Sequence, residues 1–433
     1  MKMMLKKNWK NSLLLTCLIL GSHSALAIDN ITLEEFVAKY LENSYSVDLK
    51  KLTNEAGAEK LKQAKSVYYP EADAIISTSK TDKLSGTVST STDTNLVTKS
   101  YLKITENLFN GLKDRETIEY NKKLLSKYNF DLKTTELSEV LSAVEIYFNY
   151  FKAQRDLENI KKEIDFNNKS LVEMRKKMMA GNASRTQVIS LQSTIATNEV
   201  DLAEAIATLK TIVISATKYV GINLEDKKVD YPVFKYKIED VANIQSLLKT
   251  EDRPEILAQK ENSSALLHEA QAIKAVRLPT LDLSGSYYLS DNSKYSSTKD
   301  YYSVGLTLTI PFPFGDSKSS QINQALIDYN SSLVTEKQKL QDLDKEKDVL
   351  IATIVSTSNQ MIALKNAVSI SEENVRLLKK DYQMGLSSYS DYLTATTSYQ
   401  QMVRKFDKMA IDFEYLCHKA MLWNGKNNLS KSN

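Results

Sequence analysis

The chain has 433 residues, 42% hydrophobic and 26% charged. Its 57 Lys and Arg against 54 Asp and Glu give +3; without the first 27 residues, which hold four lysines and no acid, 53 against 54 give −1, a balance with no electrostatic footprint for nucleic acid. Cys417 is the only cysteine beyond residue 17, so an exported chain can form no internal disulfide, and no later stretch has the roughly 18 continuous apolar residues of a membrane helix.

The N-terminus reads as a secretory signal. Lys2, Lys6, Lys7 and Lys10 precede an apolar run over 12–20, and Ala25-Leu26-Ala27 is a small-x-small cleavage site, which predicts a signal peptide over 1–27 and a mature start at Ile28. Thr16 before Cys17, and the apolar run continuing past it, argue against lipid attachment there.

Residues 31–67 are expected to be helical, interrupted at Gly57 and ended by Pro70; 239–276, closed by Pro279, is the matching segment. Beyond each proline the period changes to two. Tyr302, Val304, Leu306, Leu308 and Ile310 alternate with Ser303, Gly305, Thr307 and Thr309, and Leu281, Leu283, Tyr287 and Leu289 form a poorer companion. Leu102 and Ile104, with a weak run over 72–79, make the pair of the first half. The segments 81–94 and 291–300 read as exposed loops. Four strands of about ten residues fit the length needed to cross a membrane, yet are too few to close a barrel, so several chains would each have to contribute four. A half-buried sheet fits the same alternation.

Eleven glycines occur, and six keep a strict interval: Gly111, Gly181 and Gly221, then Gly315, Gly385 and Gly425, 204 residues later. No other Gly and no Pro lies between Gly111 and Gly181, or between Gly315 and Gly385. This predicts, in each half, one very long helix, a turn at Gly181 or Gly385, and a second long helix. Apolar stripes accompany them: Leu137, Leu141, Val144, Phe148 and Phe151; Leu191, Ile195, Leu202, Ile206, Leu209 and Val213; Tyr399, Val403, Phe406, Ala410, Phe413, Cys417 and Ala420. The duplication divides the chain into a first repeat over 28–221, a linker over 222–238, a second repeat over 239–425 and a polar tail over 426–433. His268 and His418 are the only histidines after the signal, and no H-E-x-x-H, G-x-S-x-G or phosphate-loop motif occurs, so no enzyme activity, cofactor or metal site is expected.

The segment Tyr382-Gln383-Met384-Gly385-Leu386-Ser387-Ser388-Tyr389-Ser390-Asp391-Tyr392-Leu393-Thr394-Ala395-Thr396 resembles the tip signature of the TolC family of outer-membrane efflux and secretion channels. Arg277-Leu278-Pro279-Thr280-Leu281-Asp282-Leu283 resembles that family's approach to its third strand. Asn107-Leu108-Phe109-Asn110-Gly111 and Ile310-Pro311-Phe312-Pro313-Phe314-Gly315 resemble its exits from sheet to helix. The resemblance implies a mainly α fold with a small β part. Long antiparallel helical hairpins would form an α-barrel, and four strands per chain would join a trimeric twelve-stranded transmembrane β-barrel. It also implies an outer-membrane, periplasm-spanning duct that works with a periplasmic adaptor and an inner-membrane transporter of the ABC or RND type, serving efflux or type I secretion.

At the entrance of such a duct, Asp391 matches a gate acid, while Gln187 and Thr394 stand where other members carry acids, and Ser387 stands where some carry a basic latch beside the retained Tyr382. A weaker cation block follows. An Asp that merely favours a helix N-terminus is the bland alternative. Gly181, Ser184, Gly385, Ser388 and Arg175 mark the tips where an adaptor would dock. The competing expectation is a periplasmic or surface coiled-coil protein without a channel, for which a single hairpin would be expected.

Overall fold

A computed structural model describes residues 31–81, 95–221, 248–291, 300–312 and 315–424. The signal, the linker, Gly425, the tail and both strand-connecting loops fall outside the described residues, wholly or nearly so.

Two helices open the described chain, α1 (Leu33–Glu42) and α2 (Tyr45–Lys65). The break between them falls at Asn43 and Ser44, where the Ser44 hydroxyl caps α2 by accepting from the Val47 amide at 3.3 Å. It does not fall at Gly57, as the sequence suggested. Gly57 lies inside α2, and a Cβ there would sit 2.6 Å from the Tyr128 ring, so this glycine serves close helix packing. A short 3-10 turn, Ser66–Tyr68, leads past Pro70 into β1 (Glu71–Thr81), followed by β2 (Asn95–Asn110).

The hairpin helices are α3 (Lys113–Met179) and α4 (Arg185–Val220). The second half repeats the order with α5 (Pro254–Lys274), β3 (Thr280–Asp291), β4 (Tyr301–Thr309), α6 (Ser317–Gln383) and α7 (Tyr389–Met421). Helix α5 begins 209 residues after α2, and β3 begins 209 residues after β1; α6 and α7 begin 204 residues after α3 and α4. The five-residue difference therefore arises within the strand pair, ahead of Gly111, as expected from the sequence. Helices α3 and α6 each have 67 residues, about 100 Å at 1.5 Å per residue.

The strands form one antiparallel sheet in the order β1-β2-β3-β4, so β2 and β3 join the two halves. Register sorts its side chains into two faces. Leu102, Tyr287 and Tyr302 share one row, Ile104, Gly285 and Val304 the next, and Leu283 with Leu306 and Leu281 with Leu308 follow on the same side. Lys103, Ser286 and Ser303 lie on the opposite side. The apolar side is open to solvent in the single chain, with Val304 71% and Leu306 63% exposed.

At the sheet-to-helix junction, Gly111 (φ +69°) and Leu112 (φ +68°) both take the left-handed conformation. A Cβ on Gly111 would lie 2.6 Å from Leu278 Cβ, which makes glycine obligatory there. The largest apolar core joins α1, α3, α4 and the end of α7 through Phe36, Tyr147, Phe148, Phe151, Val220 and Ile411. Phe151 is 1% exposed, and burial of such a side chain contributes about 2–3 kcal/mol. A second core gathers Phe413, Cys417, Ala420 and Trp423 against Leu350 and Ile354, so Cys417 is a small core residue.

Candidate functional site

The two hairpin tips are built to one plan. At the first, the Gly181 amide donates to Met178 O at 3.0 Å and the Asn182 amide to Lys177 O at 2.8 Å; at the second, Gly385 donates to Tyr382 O at 3.1 Å and Leu386 to Asp381 O at 2.8 Å. This pair of bonds closes a helix C-terminus around a left-handed residue, and both glycines have φ +77°. Three residues on, each returning helix starts with a reciprocal cap. Ser184 Oγ accepts from the Gln187 amide at 3.3 Å while Gln187 Oε1 accepts from the Ser184 amide at 3.0 Å. Ser388 Oγ accepts from the Asp391 amide at 3.1 Å, and Asp391 Oδ2 accepts from the Ser388 amide at 3.2 Å and its hydroxyl at 2.7 Å.

Gln187 and Asp391 thus share one structural task, the side-chain half of a capping box, which either an amide or a carboxylate performs. Their chemistry differs only in charge. Asp391 adds a negative charge beside the positive end of α7, and its side chain is exposed. Thr394 is exposed one turn further along α7, and Arg175 is exposed on the last turns of α3. Ser387 is half-buried, with its hydroxyl 3.4 Å from Leu378 O of its own hairpin.

The tips also pack against each other. Met174, Val188, Leu191 and Ile195 of the first hairpin enclose Tyr389 of the second, with Tyr382 and Tyr392 at the margin. Burial, then the neighbouring Tyr392, Tyr382 and Glu173, push the Tyr389 phenol up to about 12. Lys177 reaches across from the first hairpin, its ammonium 4.6 Å from the Tyr382 ring centre and 3.5 Å from the phenol oxygen. Tyr382 therefore ties the two tips within one chain. Around the tips, Arg175, Lys176, Lys177, Arg185, Lys379 and Lys380 outnumber Glu173, Asp381 and Asp391, so the field there is net basic.

A second junction, not foreseen from the sequence, lies about 20 residues up α7. Arg404 Nε is 2.9 Å from Asp156 of α3, and its Nη1 is 3.3 Å from Asp201 of α4 and 4.0 Å from Glu163. Lys408 meets the other oxygen of Asp156 at 2.8 Å. Beside them Asp407 accepts from Arg155 and Asn159, each at 2.8 Å, and Asp412 meets Lys152 at 2.7 Å. Burial tends to raise the Asp156 pKa, but hydrogen bonds from Arg404 and Lys408 prevail and hold it below the usual aspartate value. Burial raises that of Glu163. Arg404, Asp407 and Lys408 are interleaved with the apolar stripe of Val403, Phe406 and Ala410, and that interleaving was the available signal.

Residues 244–404 match the sequence model of the family described as outer membrane efflux protein. The match lies within the second half of the chain and takes in the second hairpin tip. It is the family that the tip signature resembles, and its description points to the outer membrane. Among solved structures the chain is similar to VceC of Vibrio cholerae, at 15% identity and TM-score 0.78, covering 91% of this chain and 95% of that one. It is also similar to the CmeC outer membrane channel of Campylobacter jejuni (18%, 0.77, 91% and 85%) and to the open state of the MtrE outer membrane channel of Neisseria gonorrhoeae (15%, 0.71, 91% and 88%). At these identities the likeness establishes a shared fold. No curated protein matches the sequence. The family is described as an efflux protein, and the CmeC and MtrE structures are described as outer membrane channels.

Proposed function

We infer that three copies of this outer-membrane efflux protein assemble into one duct, their twelve strands closing a barrel in the lipid and their hairpins walling a tunnel through the periplasm. The observation that carries this reading is the open sheet. It has four strands, unpaired outer edges on β1 and β4, and one apolar face exposed in the single chain. An open edge is untenable in hydrocarbon, where every backbone amide and carbonyl needs a partner. Strands from neighbouring copies supply those partners, and the apolar face then meets lipid.

The helices give the same message. Within the chain α3 packs on α4 and α7, and α7 on α6, which leaves α4 and α6 at the two margins. Along α6, Ile327 and Val334, then Val355, Ile362, Ile370 and Leu377, and Met384 just past its end, stand exposed at steps of seven or eight within each run. Such a stripe fits a neighbouring helix in a coiled-coil seam. We read the chain as an exported precursor, with a signal over 1–27 and two repeats over 28–221 and 239–425 joined through 222–238. The net-basic tips with their exposed Met179, Met384 and Leu386 would meet a periplasmic adaptor, and an ABC or RND-type inner-membrane transporter would choose the cargo.

Three copies of Asp391 would line the entrance, without a second acidic ring because Gln187 and Thr394 are uncharged. A single ring among basic neighbours predicts weak block by trivalent cations. The test is conductance of the purified protein in planar lipid bilayers. Discrete steps of uniform size are expected; a bilayer that stays silent at every protein concentration contradicts a channel.

A further inference from the structure

The polar face of the sheet carries an aromatic row that export as described does not use. Tyr101, Tyr288 and Tyr301 stand opposite one another on β2, β3 and β4, and Ile75 on β1 continues the row. The Tyr101 and Tyr288 rings stack with centres 4.9 Å apart, and those of Tyr288 and Tyr301 stack at 4.4 Å with planes 14° apart. The row lies in the half of the sheet away from the helices: Tyr301 is the first residue of β4, β3 ends three residues beyond Tyr288, and β2 starts six residues before Tyr101.

Membrane barrels carry tyrosine on the lipid face, at the boundary with water. Tyr287 and Tyr302 hold that position here, paired with each other and in line with the apolar rows. Tyr288 and Tyr301 alternate with them and therefore face the opposite way, on the side of Lys103, Ser286 and Ser303. A girdle at the lipid boundary does not explain them. On β3 and β4 the next positions toward the helices are small, Ser286 with Ser303 and then Ser284 with Gly305, while β2 and β1 carry Lys103 and Asp73 beside the first of them. On β3 and β4, large stacked side chains thus give way at once to small ones. Stacking also holds the rings in place, because each is braced by its neighbour on the next strand.

The geometry points to a size-limiting collar in the outer half of the barrel, nine tyrosines in the closed barrel, which restricts the cross-section of solutes that pass. This rests on the trimeric barrel proposed above. The collar presents ring edges and phenol hydroxyls to the lumen, a surface suited to hydrated polar solutes and to flexible chains threaded through singly.

The test uses the full-length protein in intact cells. A Ser284→Cys reporter sits on the lumen face roughly 14 Å inside the tyrosines, four residues along β3. The native Cys417 is buried in the helical body. Cells are treated from outside with a small maleimide or one carrying a long polyethylene-glycol chain, and the protein is then purified and its native mass taken. With the tyrosines present, the small reagent is expected to label the reporter and the long one to lag many-fold. In the Y101A/Y288A/Y301A background the long reagent is expected to catch up with the small one. Tyr288→Ser alone, which opens the centre of each row, is expected to move the rate the same way and serves if the triple variant fails to assemble. A trimer in which the long reagent labels equally fast with and without the tyrosines overturns the collar alone. A particle that is not a trimer overturns the barrel and the collar together.

Discussion

Helices α3 and α6 have the same length and the same turn at their far ends, yet they bury different things. Helix α3 buries thirteen residues, including Val144, Tyr147, Phe148, Phe151 and Ile160. Helix α6 buries eight, three of them Ser332, Thr357 and Ser358, and leaves an apolar stripe uncovered. The difference follows from position. α3 is enclosed by α2, α4, α5 and α7 of its own chain, whereas α6 packs chiefly on α5 and α7 among the described residues. Backbone instructions have been duplicated, while the side-chain faces have diverged to suit one interior helix and one marginal helix. The margin is where a second copy belongs.

That contrast can be broken most sharply by charging one helix and hollowing the other. Ile362→Asp with Ile370→Asp places charges on the open stripe of α6. We expect the assembled particle to be lost while the monomer keeps its helical circular dichroism; an intact trimer would mean that the stripe faces no subunit. Phe148→Ala on α3 should instead destabilise the chain itself, by about 3–5 kcal/mol, read as a lower urea midpoint.

Arg404 sharpens the comparison at the point where α7 ties α3 to α4. Arg404→Met leaves Asp156 and Glu163 partly buried without their shared partner and should cost about 1–3 kcal/mol at pH 7, a range reduced from that of fully buried pairs because these groups keep some solvent. The pH dependence has a definite sign. Asp156 has a depressed folded-state pKa, so its stabilisation is present above the ordinary aspartate value and is lost as pH falls through the lowered one. Glu163, raised, contributes in the opposite sense: its stabilisation is present below the usual glutamate value and is lost as pH rises through the raised one. The deficit of the variant should therefore shrink as pH drops below about 4, measured by denaturant midpoints across that range. A deficit that stays constant would show that the charges are not its cause.

Smaller effects compare the tips. Gly181→Ala and Gly385→Ala should each cost about 1 kcal/mol, equally, because both have φ +77° and neither would bring a Cβ within 4 Å of another atom. Ser184→Ala and Ser388→Ala should cost about 1 kcal/mol or less through loss of the caps. Asp391→Asn keeps the capping acceptor and removes only charge. Stability should hardly change, while the weak block by trivalent cations disappears; an unchanged block would remove Asp391 from the gate.

What was legible in the sequence was what local chemistry writes. The turns at Gly181 and Gly385 depend on residues within four positions of one another, whereas the helix starts at Tyr45 and Pro254 went unread within the longer helical stretches expected there. The apolar stripes at Val144, Phe148, Phe413 and Cys417 were legible for the same reason, since a helix repeats its face. Ile206 was misplaced: it fits the period of α4 but lies 48% exposed, because α4 is marginal and only one of its faces is covered within the chain. Gly57 was misread because its reason is Tyr128, 71 residues away. Strand β2 extends to Asn110, well beyond the Leu102 and Ile104 that marked it, since pairing with β3 carries polar residues such as Asn107, bonded at 2.6 Å to Asp282, into the ladder. The Arg404 junction needs three helices in register, and spacing along one of them does not reveal it.

The most direct measurement is the native mass of the particle from detergent-solubilised outer membrane, taken by light scattering with the detergent subtracted. Three chains, found in that fraction alone, are the result predicted by the open sheet and the uncovered face of α6. A soluble monomer or dimer in the periplasm would contradict the account at its centre, because the edges of β1 and β4 would then have no lipid to be shielded from.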